Sequence, residues 1–195
     1  MSGRLSDEQM DQLKDWIGTG PKQFSLLYAI TRDGCGPAQF HKMCDNQGPT
    51  VTVIYNTQGS VFGAYTSIAW ESTSESWKRD DLAFIFQLVF SNKKLYRHFP
   101  SNKTTNTVYH GARNGLLFGN GGNYDFHLFH GQTVNAVNGV YALAPVNGQM
   151  TASSNFVYGS VKSADINNGL MDVVEAEVYR VTGMNEDTHT CILHQ

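Results

Sequence analysis

Cysteine, proline and charged residues are all scarce in this chain, and these shortages exclude several classes of protein. The three cysteines among 195 residues, Cys35, Cys44 and Cys191, are an odd number at spacings that fit no disulfide framework, which indicates a reducing compartment. The net charge of -3 is too small for electrostatic capture of nucleic acid or of an anionic membrane. No apolar run resembles a signal peptide or a membrane span. We therefore predict a cytoplasmic protein that binds no nucleic acid and inserts into no membrane.

Motifs that identify a reaction are also missing. No GxxxxGK[ST] sequence occurs, so the chain cannot be a P-loop GTPase. The glycine block FGNGGNYD at 118–125 lacks the following helix that a phosphate-binding loop requires, and it is better explained as a tight turn. A structural zinc site needs four ligands, whereas the candidates form only separate pairs: His41 with Cys44, His127 with His130, and Cys191 with His194. We predict no metal and no cofactor.

Glycine and short hydrophobic segments are what the chain has in abundance. Its nineteen glycines predict many turns, which favour short strands over long helices. A helix is predicted at residues 6–17, because Ser6 and Gln9 have the spacing of a capping box and the apolar residues around Leu13 share one stripe. Residues 24–30 fit either a strand or a buried helix.

The remaining segments predict a mainly β protein. A second helix begins at Pro37, and residues 51–55 and 61–65 predict a hairpin. Residues 82–90 are so apolar that they predict a central strand covered on both sides. Further strands are predicted at 95–99, 107–110, 116–118, 124–129, 156–158 and 172–181, with loops at 71–81 and 131–155. We expect a two-sheet antiparallel β-sandwich with short flanking helices, forming one domain at 1–182 and followed by a tail at 183–195.

Three dense sequence blocks carry a family resemblance. They are FSLLYAITRDG at 24–34, AQFHKMCDNQGPTVTVIY at 38–55 and GSVFGAYTSIAW at 59–70, followed by weaker matches in LAFIFQL, FGNGGNYDFHL and DVVEAEVYRV. In content and order these blocks resemble a TLDc domain, the domain of oxidation-resistance proteins. A helix followed at once by FSLLY also resembles the TLDc part of interferon-induced GTPase-like proteins. The resemblance implies a sandwich fold as well.

The resemblance also implies a function. It implies a non-catalytic protein-interaction module in oxidative-stress or innate-defence responses, with the peripheral sector of a vacuolar-type ATPase as its partner. We expect the contact surface near residues 33–36, 63–70 and the turn at 119–123. The contact residues expected there are Asp33, Gly63, Tyr65, Thr66, Ser67 and Trp70.

Two other functions stay open at this point. One is a defence protein that binds a small ligand or carbohydrate, with Trp77, Tyr96 and Tyr109 as an aromatic shelf. The other is an enzyme that uses a thiol or carboxylates. For either function the supporting residue types are scattered along the chain, so each is a weaker hypothesis than the interaction module.

The candidate enzyme residues are Cys35, Asp45 and Glu177. Cys35 is a candidate redox thiol, because a cation and a helix start lie nearby in sequence, although an ordinary loop thiol is the simpler interpretation. Cys44 is expected in the core. We predict that Asp45 and Glu177 are structural carboxylates, one bonded to backbone amides of the turn at 48–49 and the other solvated, in preference to an acid pair.

Overall fold

Antiparallel strands account for most of the regular structure. The computed structural model describes residues 3–102, 107–120, 123–143, 148–150, 158 and 162–183. The helices are α1 (Asp7–Ile17), α2 (Ile30–Asp33), α3 (Pro37–Cys44) and α4 (Ser163–Asn167). The strands are β1 (Lys22–Ala29), β2 (Thr50–Asn56), β3 (Val61–Thr66), β4 (Ser76–Lys78), β5 (Phe84–Phe90), β6 (Lys93–Pro100), β7 (Val108–His110), β8 (Asn114–Asn120), β9 (Asn123–His130), β10 (Tyr141–Ala142), β11 (Gly148–Met150) and β12 (Asp172–Gly183).

The strands form two sheets that pack on a shared core. The larger sheet has the order β1-β12-β2-β3-β5-β6 with β10 also paired to β12, and the smaller sheet has the order β11-β9-β8-β7-β4. Phe62 of β3 and Phe126 of β9 lie with their ring centroids 6.3 Å apart. Both belong to a buried hydrophobic cluster drawn from the two sheets. The predicted mainly β, two-sheet antiparallel sandwich is therefore confirmed.

Helix α1 covers the outer face of the larger sheet. Its capping box forms as the sequence predicts, because the Ser6 hydroxyl accepts from the Gln9 amide while the Gln9 side chain accepts from the Ser6 amide. Leu13 is fully buried in a second hydrophobic cluster. Trp16 lies 6.3 Å from Phe86 of β5 between ring centroids. The apolar stripe of α1 is thus what docks the helix.

Two predictions about the larger sheet can be compared with the structure. The hairpin is confirmed, since β2 and β3 pair from Thr50–Thr66 to Tyr55–Val61. The 82–90 segment contains β5, which lies between β3 and β6. Ile85 belongs to the core between the sheets and Phe86 to the cluster under α1, so the strand is covered on both faces as predicted.

The shortest elements escaped prediction. The segment at 24–30 is a strand to Ala29, followed by the single turn of α2. The predicted loop at 71–81 contains β4, and the predicted loop at 131–155 contains β10 and β11. Strands of two or three residues are too short to show an alternating pattern, and their distant partners cannot be read locally. The predicted strand at 156–158 and the tail at 183–195 lie outside the described residues, apart from Tyr158 and Gly183.

Helix length bears on the membrane question. Among the described residues, no helix is both long enough and apolar enough to cross a bilayer. The longest helix described, α1, has 11 residues, about 16 Å at 1.5 Å per residue. This is about half of the thickness of a hydrocarbon core.

Candidate functional site

The turn before α3, the helix itself and a later hairpin lie side by side, and we call these residues (33–44 and 134–141) the α3 rim. The amide of Val134 donates to the carbonyl of Cys35 at 2.8 Å, which joins the hairpin to the turn. The hydroxyl of Tyr141 donates to the carbonyl of Ile30 at 3.5 Å. Segments about 100 residues apart in sequence therefore form one surface.

The hairpin of the α3 rim presents an apolar tip. Val137 and Val140 exchange two backbone hydrogen bonds of 2.9 and 3.1 Å, which close a two-residue turn. The turn residues Asn138 and Gly139 have φ angles of 52° and 78°, the left-handed conformation that a tight Asn-Gly turn requires. Val137 is 72% exposed, more than either of the other exposed large hydrophobic residues described. The tip therefore offers apolar surface to solvent.

A buried histidine fixes α3 to the smaller sheet. Nδ1 of His41 lies 2.6 Å from Oδ1 of Asp45, and Nε2 lies 2.8 Å from the carbonyl of Asn114 and 3.1 Å from that of Gly111. The ring therefore joins the residue that follows α3 to the turn between β7 and β8 of the smaller sheet. Oδ2 of Asp45 accepts from the amide of Ser72 at 2.8 Å. These bonds fix the position of α3 relative to the smaller sheet.

Asp45 and Glu177 bind different groups in the structure. Asp45 bonds to His41 and Ser72, so the expected bonds to the turn at 48–49 are replaced by these. Asp45 directly follows α3, where its side chain can reach back one turn to His41. Glu177 is 3% exposed, so the expectation that the second carboxylate is solvated is wrong. Glu177 belongs to a separate cluster, described next.

The segment at 3–5 covers two buried glutamates of β12. The amide of Arg4 lies 3.0 Å from both carboxylate oxygens of Glu177, which also accepts from the hydroxyls of Tyr55 at 3.2 Å and Tyr179 at 2.6 Å. The guanidinium of Arg4 lies 3.9 Å from Oε2 of Glu175. A side chain at Gly3 would place its Cβ 1.7 Å from the Tyr179 hydroxyl, so the segment or the tyrosine would have to shift to admit one.

Glu175 completes this cluster. It is 3% exposed and accepts from the amide of Thr31 at 3.3 Å and from the hydroxyl of the same residue. Alternation along β12 predicts that both glutamates share a face. Nothing in the sequence shows that residues 3–5 and α1 lie over this face.

The expected contact residues in block 59–70 are mostly internal. Tyr65 is 5% exposed and lies 5.1 Å from Phe84 between ring centroids. Trp70 is fully buried, and its Nε1 donates to the hydroxyl of Thr50 at 2.9 Å. Gly63 allows the backbone of β2 to lie close to that of β3, since a Cβ at this position would lie 1.8 Å from the carbonyl oxygen of Thr52. These three residues build the sandwich and are not accessible to a partner.

Thr66 and Ser67 bind a buried carboxylate that sequence reasoning missed. Oδ2 of Asp80 accepts from the hydroxyl of Thr66 and from the amide of Ser67, both at 2.7 Å, and Oδ1 accepts from the Ser67 hydroxyl at 2.6 Å. Asp80 is 3% exposed, and Thr66 is 1% exposed. Only Ser67 remains half-buried. The Thr-Ser pair therefore anchors the loop after β3, and an aspartate in a polar loop gave no signal of this role.

The sequence of this chain is similar to that of known proteins. A family model for the TLDc domain matches residues 2–182. The chain belongs to the TLDc domain family. A chicken (Gallus gallus) protein, "MTOR-associated protein MEAK7", is 31% identical over 107 residues, which covers 53% of this chain and 22% of the chicken protein. The matched segment therefore spans about a fifth of the length of that relative.

Asp33 lies on the α3 rim of this TLDc domain. Its carboxylate pairs with the guanidinium of Arg32 at 2.7 Å and accepts from the amide of Ala29 at 2.9 Å. Burial acts to raise the pKa of Asp33, but the hydrogen bonds from Arg32 and Ala29 outweigh it and lower the pKa. Its side chain is 17% exposed, so it offers a partner little beyond this ion pair. In the expected turn at 119–123, residues 121–122 lie outside the described residues.

Cys35 lacks the environment of a redox thiol. It is fully buried, and burial together with the charge of Glu175 raises its pKa to about 12. The guanidinium of Arg32 is directed to Asp33 and to the carbonyl of Leu27 at 2.7 Å. Cys44 lies in the core as predicted.

The aromatic shelf does not form as one surface of the TLDc domain. Trp77 and Tyr109 meet on the smaller sheet with ring centroids 5.1 Å apart. Tyr96 lies on the larger sheet, 6.3 Å from Trp16 of α1. Among the described residues, no group of three or more histidine, cysteine or acidic residues is arranged to hold a metal ion.

Proposed function

We propose that this TLDc domain is a non-catalytic protein-interaction module that binds the peripheral sector of a vacuolar-type ATPase through its α3 rim. The family match over residues 2–182 is the observation that carries the proposal. The chicken relative's name describes an association with mTOR, and a protein-binding role for the shared segment agrees with the proposal. We place the domain in the cytoplasm, in oxidative-stress or innate-defence responses.

The non-catalytic part of the proposal rests on how the reactive side chains are used. Cys35 is buried and its thiol keeps its proton at neutral pH. Asp45 and Glu177 each accept hydrogen bonds from neighbouring groups of the fold. Catalytic groups need access to a substrate and a pKa suited to proton transfer. The three candidates hold the structure together instead.

The binding surface follows from exposure. Tyr65, Thr66 and Trp70 are buried, so a partner at this end of the sandwich meets the α3 rim instead. The rim combines the exposed apolar tip at Val137 with exposed Lys42 on α3. Apolar anchors surrounded by polar residues are the usual composition of a protein interface.

Capture from cell lysate with purified domain tests the proposal. The wild-type domain should retain subunits of the peripheral sector, identified by mass spectrometry. Val137→Asp should abolish this capture, because it places a charge at the apolar anchor. Leu82→Asp is the matched control, since Leu82 is 64% exposed and lies outside the α3 rim. Equal capture by both variants would show that the α3 rim is not the contact surface. No capture by the wild-type domain would show that the peripheral sector is not the partner.

A further inference from the structure

Strand β6 offers an edge separate from the α3 rim. It is the last strand of the larger sheet and, within the described ranges, pairs with β5 alone. Alternate N–H and C=O groups of an antiparallel edge strand point away from the sheet. An extended peptide can bind such groups by adding a strand. The eight residues of β6 span roughly 27 Å, with one register shift against β5 between Lys94 and Arg97.

The charge of β6 is opposite in sign to that of the whole chain. Lys93, Lys94 and Arg97 are exposed on it, and neither β6 nor the neighbouring β5 contains an acidic residue. The chain as a whole has a net charge of -3. An ion pair joins Lys94 to Glu8 of α1 at the strand's surface, where both side chains are more than 60% exposed. Exposed pairs of this kind are weak and can be exchanged for another carboxylate.

The basic residues lie on both faces of the sheet at this edge. His98 stacks on Trp16 with ring centroids 5.2 Å apart, which places it on the α1 side. Lys94 lies on the same side, next to Glu8. Arg97 follows on the opposite face by the alternation of a strand. Carboxylates on either face of an added strand would therefore meet a cation.

A second copy of this chain is a poor occupant of this edge. Two β6 edges would bring lysines and arginines opposite each other, and like charges on neighbouring strands are unfavourable. The other edge of the larger sheet, β1, has the sequence KQFSLLYA, which supplies Lys22 and no acidic residue. Basic edge residues thus oppose pairing between copies. They attract a strand of the opposite charge.

We propose that β6 binds an extended acidic segment of another protein by strand addition. The backbone groups of the edge supply the affinity, and Lys93, Lys94 and Arg97 select acidic side chains. This proposal does not rest on the proposed function, because β6 and the α3 rim are different surfaces. The alternative is that the basic residues only keep other strands away.

A labelled peptide tests this proposal on the full chain. The probe is a fluorescein-labelled octapeptide of alternating glutamate and threonine, and the comparison peptide has lysine in place of glutamate. We expect fluorescence anisotropy to detect binding of the acidic peptide alone. Raising the ionic strength from about 0.01 M to about 1 M shortens the Debye length from about 30 Å to about 3 Å and should weaken the binding. Failure of the acidic peptide to bind at low salt would overturn the proposal.

Two further measurements separate strand addition from simple charge attraction. The double substitution Lys93→Glu with Arg97→Glu should weaken binding about tenfold or more. The matched control, Lys162→Glu with Arg113→Glu, makes the same charge change at exposed residues outside β6 and the α3 rim, and should bind as wild type. Hydrogen exchange of β6 amides should slow when the acidic peptide binds. Binding without this protection, or equal weakening by both double variants, would show charge attraction alone.

Discussion

At the scale of single residues, three carboxylates with little exposure to solvent organise polar contacts of this domain. Asp80 fixes the loop after β3, Asp45 fixes the end of α3, and Glu177 fixes the segment at 3–5. Each accepts hydrogen bonds from two or more donors, which offsets the cost of burying a charge. Removing such a carboxylate leaves its donors unpaired.

Glu177→Ala should lower the free energy of unfolding by about 3 kcal/mol or more. The substitution leaves three donors without their hydrogen-bond acceptor: the hydroxyls of Tyr55 and Tyr179 and the amide of Arg4. Urea denaturation followed by circular dichroism measures the change. Glu8→Ala is the control, because Glu8 is 61% exposed and its loss should cost under about 1 kcal/mol. A cost below about 1 kcal/mol for Glu177→Ala as well would contradict the role assigned to its buried carboxylate.

Cys35 should resist alkylation in the folded protein. Its pKa is raised to about 12, whereas an unfolded cysteine titrates near about 8.5. At pH 8, iodoacetamide should label Cys35 in urea and leave it unlabelled in buffer, as read by mass spectrometry of its peptide. The raised pKa also makes stability depend on pH. Because the folded protein holds the Cys35 proton more tightly than the unfolded chain does, this contribution to the free energy of unfolding is fully present below about pH 8.5 and is lost as the pH rises towards about 12. Rapid labelling in buffer would restore the redox hypothesis.

At the scale of elements, the sequence was informative where the determinants are local. Helix α1 carries its own capping box and apolar stripe, and the β2–β3 hairpin carries alternation on both sides of a turn. Strand β4 has neither, since its position depends on pairing with β7 about 30 residues later. Burial was the harder property to predict. Thr66 and Trp70 were predicted to contact a partner, whereas in the fold their hydroxyl and indole groups bond to internal partners.

Gly3→Ala should loosen the segment that covers β12. The added methyl group would overlap the ring of Tyr179, so the segment must move and the bonds from the Arg4 amide to Glu177 weaken. We expect a loss of about 1–3 kcal/mol, the usual cost of overpacking, measured by thermal or urea denaturation. Gly183→Ala is the matched control, because a Cβ there meets nothing within 4 Å. Equal stability of the two variants would mean that the segment at 3–5 is not held as described.

At the scale of the whole molecule, the buried residues that build the fold differ from the exposed residues of the two proposed binding surfaces. The blocks by which the chain resembles a TLDc domain supply core and polar anchors, such as Tyr65, Trp70 and Asp45. The α3 rim and the β6 edge lie at separate places in the sandwich. The sequence was therefore sufficient for the fold and the family, while the contact surface needed the exposure of each side chain. Substitutions on either surface should leave the core intact.

Calorimetric titration of the purified domain into the purified peripheral sector of a vacuolar-type ATPase measures whether the α3 rim binds this partner. We expect saturable binding that Val137→Asp weakens at least about tenfold, or about 1.4 kcal/mol, and that Leu82→Asp leaves unchanged. Both residues are exposed, at 72% and 64%, so neither substitution should disturb the fold. Absence of binding by the wild-type domain would rule out this partner, and equal binding by Val137→Asp would rule out the α3 rim as the contact surface.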